Sequence, residues 1–408
     1  MSNYTNYAIV DSNNKEIRFI NTFSICKQHV VNVSLDFGNY KNKCRVVEWR
    51  GIVINAGSTV VKVKYEKKLL GLIRSINITT VIDNINVTHN INNVIYDDKV
   101  QGDGNFKRKV IYLSYADIDW NNISNTVKQI VDVGFNVINL AFYIGSGYSP
   151  QPIPGPADAA YQWSLLTKDQ QLDTIKYAEA RGAKIMVSAG GATDTQPYNV
   201  NANIYATNVS NWCKDNNLHG VDYDLESIQN DFTFGNMTSS DMYNWFLSLY
   251  ITTRTILGPE ASISHAPQAP YLAQVGHNNS WPGTEGGYVK VFNDARNYDG
   301  IGINWLNIQF YNQGNFYTTY NDIFVSANPS GFPYSAMGEL GLPLDSLVYG
   351  TYLQSQDGSG FHDPVVIHDY FIQANEQLQW SAGSMLWMWR STGQPTAQQW
   401  ITTVYNNP

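Results

Sequence analysis

Asp222, Asp224 and Glu226 stand at alternate positions of one short stretch, Gly220-Val221-Asp222-Tyr223-Asp224-Leu225-Glu226. On a strand, residues i, i+2 and i+4 share a face, so the three acids point one way and Val221, Tyr223 and Leu225 the other. Two arrangements satisfy this alternation. In the first, the acids face water. In the second, helices cover the apolar side and the acids face a packed interior, where like charge and desolvation raise their pKa values. Carboxyl groups forced to share protons in this way supply a general acid near neutral pH.

The elements around the acids favour the second arrangement. After residue 105 the pattern alternates between strands and helices. Strands are expected at Val110–Tyr115, Val137–Tyr143, Lys184–Ala189, Gly220–Leu225, Ser262–Ala266, Trp305–Phe310, Leu347–Gly350 and Gly383–Trp387. Helices are expected at Ile123–Val133 (capped by Asn121 or Asn122), Thr167–Arg181, Asn203–Lys214 and Ser240–Leu257, then around Tyr288–Ala295, Thr318–Ser326, Val366–Gln377 and Thr396–Val404. Eight β–α units over about 300 residues is the count of a (β/α)8 TIM barrel, an α/β fold whose strand interiors accept charge chiefly at their C-terminal ends. An open doubly wound sheet is the alternative, but no Gly-rich phosphate fingerprint follows the first strand. Three further motifs fall at strand ends in the order a barrel requires: Ser188-Ala189-Gly190-Gly191, Gln309-Phe310-Tyr311-Asn312, and Gly383-Ser384-Met385-Leu386-Trp387. The paired glycines would allow close backbone approach.

Residues 1–100 read differently, as short β-strands: Thr59–Tyr65 alternates, and Ile76–Ile95 repeats Ile and Val between polar residues. A small all-β domain, a β-sandwich, is expected there, joined by a polar linker at 101–107 to a catalytic domain at 108–408. Charge divides at the same place. Residues 1–105 carry 13 Lys/Arg against 9 Asp/Glu, and the remainder 13 against 25. The acidic, aromatic-rich second part excludes nucleic acid, which needs a basic face, and suits an uncharged polar ligand such as a sugar. With 43% apolar and 15% charged residues the chain is a well-cored protein. No stretch reaches the ~18 apolar residues of a membrane span, so no membrane partner is expected. No basic leader precedes an apolar run at the start, which points to cytoplasmic synthesis and non-classical release. Cys26, Cys44 and Cys213 lack metal-ligand spacing, so neither metal nor cofactor is expected; Cys26 and Cys44 could pair, but a buried free thiol is the expected state of each. Any self-association would reside in residues 1–100.

The segment His219-Gly220-Val221-Asp222-Tyr223-Asp224-Leu225-Glu226, with Ser188-Ala189-Gly190-Gly191 before it, resembles glycoside hydrolase family 18, the chitinases and endo-β-N-acetylglucosaminidases, whose signature is D-x-x-D-x-D-x-E on the fourth strand after S-x-G-G on the third. The flavour is that of plant class III and fungal chitinases: Ser264–Tyr271, Gln309–Asn312 and Asp357–Phe361 resemble their fifth-strand, sixth-strand and seventh-loop segments. The resemblance spans residues 108–405. It implies retaining, substrate-assisted hydrolysis of chitin or other β-1,4-linked N-acetylglucosamine oligosaccharides. Glu226 would be the proton donor, Asp224 the acetamido-orienting carboxylate, and Asp222 its deeper partner, sharing a proton or hydrogen bond with it. Tyr311 would bind the acetamido oxygen, helped by Gln309 or Asn312, and Trp387 would be the floor under the sugar. Tyr112 or Tyr115, Phe142, Gly190, Gly191 and Gln268 would line the same hole, with groove walls at Gly145–Trp163 and Trp281–Gly287. His219 stands where the signature has its first aspartate, and it is expected to hydrogen-bond Asp222 and alter the pH dependence. Two competing functions are a chitinase-like lectin without hydrolysis, which such proteins usually reach by losing the terminal Glu, and a self-assembling structural protein built on the barrel.

Overall fold

The computed structural model describes residues 106–146, 154–226, 239–272, 287–314, 316–325 and 342–406, together with the strands within residues 1–105. The chain divides into two compact units, Met1–Asn105 and Phe106–Pro408. The strands of the first unit belong to one eight-stranded sheet. The packing that would make it a sandwich, and the states of Cys26 and Cys44, lie outside the described residues.

In the second unit eight parallel strands close into a cylinder: β1 (Arg108–Leu113), β2 (Val137–Ile144), β3 (Lys184–Gly190), β4 (Gly220–Asp224), β5 (Ser262–His265), β6 (Trp305–Gln309), β7 (Leu347–Tyr352) and β8 (Gly383–Trp387). Each pairs with the next, and β8 returns to β1 with Leu386 opposite Ile111. No edge strand is left, and the fold is the (β/α)8 barrel that the alternation of elements predicts. The register sets Ser188 of β3, Asp222 of β4 and Ser264 of β5 side by side.

Helices α1 (Ile123–Val133), α2 (Asp158–Ser164), α3 (Lys168–Glu179), α4 (Ala202–Asp215), α5 (Ser239–Leu257), α6 (Gly287–Asp299), α7 (Pro364–Leu378) and α8 (Ala397–Asn406) accompany the strands. Their ends follow from local chemistry. Asn122 caps α1 by accepting from the Ser124 N–H, and Gly134 ends the helix in the left-handed conformation at φ 110°. Thr167 and Gln170 form a reciprocal capping box on α3. On α1, Ile123, Val127, Ile130 and Val131 recur at helical spacing and are buried. The outer face of β4 shows what the helices cover. Val221, Tyr223 and Leu225 are all buried, and the Tyr223 hydroxyl lies 2.5 Å from Thr253 Oγ1 on α5. Burying such a ring contributes roughly 1.5–3 kcal/mol.

Three expectations need correction. The first strand runs Arg108–Leu113, so Tyr115 lies beyond it. Helix α2 was not anticipated: its seven residues are too short a window for periodicity to register. Over the helix expected at Thr318–Ser326 the described residues show a π-type segment, Asn321–Val325. Thr319 and Asp322 cap its start reciprocally, each side chain accepting from the other's backbone N–H, and Ser326 lies outside the described residues. Among the described residues no helix is long and apolar enough to cross a membrane. Cys213 is a buried free thiol.

Candidate active site

The acid row of β4 faces the barrel interior. Asp222, completely buried, is the most fully satisfied of the three. Its Oδ2 accepts from the Tyr112 hydroxyl at 2.6 Å and from Ser188 Oγ at 2.8 Å. Its Oδ1 accepts from Ser264 Oγ at 2.6 Å and Asn307 Nδ2 at 3.0 Å. Four donors, one each from β1, β3, β5 and β6, fill the acceptor sites of one carboxylate. Burial pushes the Asp222 carboxyl up, and the four hydrogen bonds pull it back. A carboxylate so occupied has no lone pair left for a bond to Asp224, and none is formed. In place of a bond to Asp224, Asp222 is held by these four donors.

Asp224 is buried and Glu226, two residues beyond the end of β4, is half-buried. Desolvation, then the charges of Glu226 and Asp222, raise Asp224 well above the ordinary carboxylate range. Desolvation also raises Glu226. The donor they share is the side-chain amide of Gln309 on β6. Its Nε2 lies 2.8 Å from Asp224 Oδ1, 2.9 Å from the Ala266 carbonyl and 3.5 Å from Glu226 Oε1. Two hydrogens cannot serve three oxygens well. Glu226 receives the longest contact, so its carboxyl group is the one the amide holds least.

Around this pair stand the other sequence candidates. The Tyr311 hydroxyl is near enough to Asp224 and Glu226 that their charges raise its pKa, after burial as the larger cause, and its ring packs 4.3 Å from Tyr352. Trp387 stacks on Phe142 with centroids 5.6 Å apart and lies 5.5 Å from Tyr112. Gly190 and Gly191 are required as glycines. A Cβ on Gly190 would sit 2.1 Å from the Asp224 carbonyl oxygen, and one on Gly191 2.7 Å from the Phe142 ring. The Gly191 N–H in turn donates to the Asp224 carbonyl at 2.6 Å. Gln268 joins Gln309 through an isolated parallel bridge at the rim.

One candidate falls outside the cluster. Tyr115 is 58% exposed on the loop after β1, so it is Tyr112, pointing inward from the strand, that reaches the acids. Asn312 adopts φ 58° and donates through its amide to the Tyr352 hydroxyl, which is near enough to Glu226 to feel its charge. His219 also departs from expectation. Its Nδ1 accepts from the Ile185 N–H at 2.9 Å, and its Nε2 lies 3.3 Å from Glu179 at the N-terminal end of the barrel. It does not touch Asp222. Sequence reasoning missed Ser264, Asn307 and Tyr271, whose hydroxyl donates to the Glu226 carbonyl at 2.9 Å. Ser264 and Tyr271 did lie within a quoted fifth-strand segment, while Asn307 carried no signal of its own. Residues 281–286 of the expected groove wall lie outside the described residues. Among the described residues, no group of three or more His, Cys, Asp or Glu is arranged to hold a metal ion.

The sequence matches no known family model and no curated protein. Solved structures do match. A family 18 chitinase from Pseudoalteromonas aurantia is similar at 25% identity and a TM-score of 0.55, over 74% of this chain and 99% of that one. A fungal endo-β-N-acetylglucosaminidase of the same family is similar in fold at 20% identity and a TM-score of 0.51, over 73% of this chain and 96% of that one.

Proposed function

From a barrel that is chitinase-like, of the glycoside hydrolase family 18 kind, we propose that this protein is a retaining glycoside hydrolase acting on β-1,4-linked N-acetylglucosamine oligosaccharides, chitin among them. The observation that carries the reading is the graded acid row, with a saturated Asp222 at the bottom and an under-bonded Glu226 at the top.

In the proposed reaction the acetamido oxygen of the bound sugar attacks its own anomeric carbon while the bond from that carbon to the leaving oxygen breaks. Glu226 gives its proton to the leaving oxygen. The bicyclic oxazolinium ion carries a positive charge, which ionised Asp224 stabilises while accepting from the acetamido N–H. Water then attacks the same carbon from the vacated side, surrenders a proton to Glu226, and the ring reopens with retention. Tyr311 suits the acetamido oxygen, since its hydroxyl is within reach of the charges of both carboxylates. Trp387 offers a ring face to sugar C–H groups. Asp222, held by its four donors, fixes the base of the acid row below Asp224.

The test compares wild type with Glu226→Gln on a chromogenic N,N′-diacetylchitobioside. Wild type should turn the substrate over, and the variant should lose ~10²–10⁴-fold in kcat while still binding the sugar. Sugar binding by a wild type without turnover would instead select a lectin, and equal rates in the two proteins would remove Glu226 from the role.

A further inference from the structure

The strand ladder ends at Asp224, so the backbone of Glu226 is not held by strand pairing. Two donors from neighbouring loops take over. On one side the Gly191 N–H holds the Asp224 carbonyl at 2.6 Å. On the other, the Tyr271 hydroxyl holds the Glu226 carbonyl at 2.9 Å, across a sequence separation of 45 residues. Tyr271 belongs to the 3-10 turn Ala269–Leu272 after β5, all four residues of which are buried. The turn is closed by a 2.9 Å bond from the Tyr271 N–H to the Gln268 carbonyl. The hydroxyl is thus presented from a rigid platform.

We propose that Tyr271 is a positioning residue for Glu226, fixing through the main chain the direction in which the carboxyl group delivers its proton. Among the described residues the Glu226 carboxylate has only the long contact from Gln309 to steady it, so its aim is set by where its backbone is pinned. Misplacement of a catalytic group by even an ångström costs up to ~10²-fold in rate. The inference rests on Glu226 being the proton donor.

Tyr271→Phe removes a single oxygen and leaves the buried ring in place. Wild type, Tyr271→Phe and Glu226→Gln would each be assayed on two substrates. One is chitotetraose, whose sugar alcohol leaves only with a proton. The other is 2,4-dinitrophenyl chitobioside, whose phenolate leaves without one. For Tyr271→Phe the expected loss in kcat is about tenfold on chitotetraose and less than about twofold on the dinitrophenyl substrate. A reduced fraction of folded enzyme would lower both rates alike, so equal losses, or no loss on chitotetraose, overturn the proposal. If wild type cleaves neither substrate, or Glu226→Gln matches it on chitotetraose, the hydrolase reading fails and takes this proposal with it. If Glu226→Gln is inactive on chitotetraose and Tyr271→Phe is not impaired, this proposal fails alone.

Discussion

Gln309 gives Asp224 a 2.8 Å hydrogen bond and Glu226 only a 3.5 Å contact from the same amide nitrogen. The unequal division leaves Asp224 held by the amide and Glu226 only loosely tethered to it. Gln309→Leu abolishes the division. Both carboxylates lose the hydrogen bond that lowers their pKa values, so both limbs of the pH–kcat profile should move to higher pH, with kcat at the optimum reduced. A pH–rate series on the chromogenic chitobioside reads the shift, and unchanged limbs would contradict the assignment.

The acid row should also appear in stability. Burial raises Asp222, Asp224 and Glu226, so the folded protein keeps protons that the unfolded chain releases above about pH 4. The cluster's contribution is therefore fullest below the unfolded pKa values and declines as pH rises through the folded ones. Asp224→Asn removes one of the mutually repelling charges. At pH 7 its Tm should exceed that of wild type, by about 2–4 °C for each kcal/mol relieved, and the gain should vanish below about pH 4. Calorimetry at both pH values tests this, and a lower Tm at pH 7 is the contrary result.

Gly191→Ala should be costly in both stability and rate. The residue adopts φ +78°, and its new methyl would lie 2.7 Å from the Phe142 ring that stacks on Trp387. The strain is on the order of 1–3 kcal/mol. A drop in denaturant midpoint accompanied by a lower kcat/KM is expected.

His219→Ala should leave the pH–rate profile where it was, because the imidazole bonds to Ile185 and Glu179 at the far end of the barrel. A displaced limb would show that His219 influences Asp222 despite making no contact with it.

The His219 outcome marks where reading the sequence stops. Residues 219 and 222 lie an odd number of positions apart, so on a strand they point to opposite faces, roughly 10 Å apart along the chain. The signature spacing alone conceals this. The inward row of Asp222, Asp224 and Glu226 was legible because period-two alternation survives any strand pairing, and the barrel because eight β–α units admit few other folds. The donors to Asp222 were not legible as a set. That Ser188 and Ser264 flank it at one level is a matter of register, which no local pattern encodes. Tyr112 and Tyr115 stay alternatives in the sequence because the end of β1 cannot be set there to within two residues, and the left-handed turn at Asn312 is one that an Asn tolerates without announcing it.

Tyr112, Ser188, Ser264 and Asn307 join four staves of the cylinder to a single anion. Holding the wall together and anchoring the chemistry are thus one and the same set of bonds. Grafting the three acids alone into a foreign barrel would bury an ion with nothing to solvate it. Carrying the four donors with them would transplant a ready-made solvation shell.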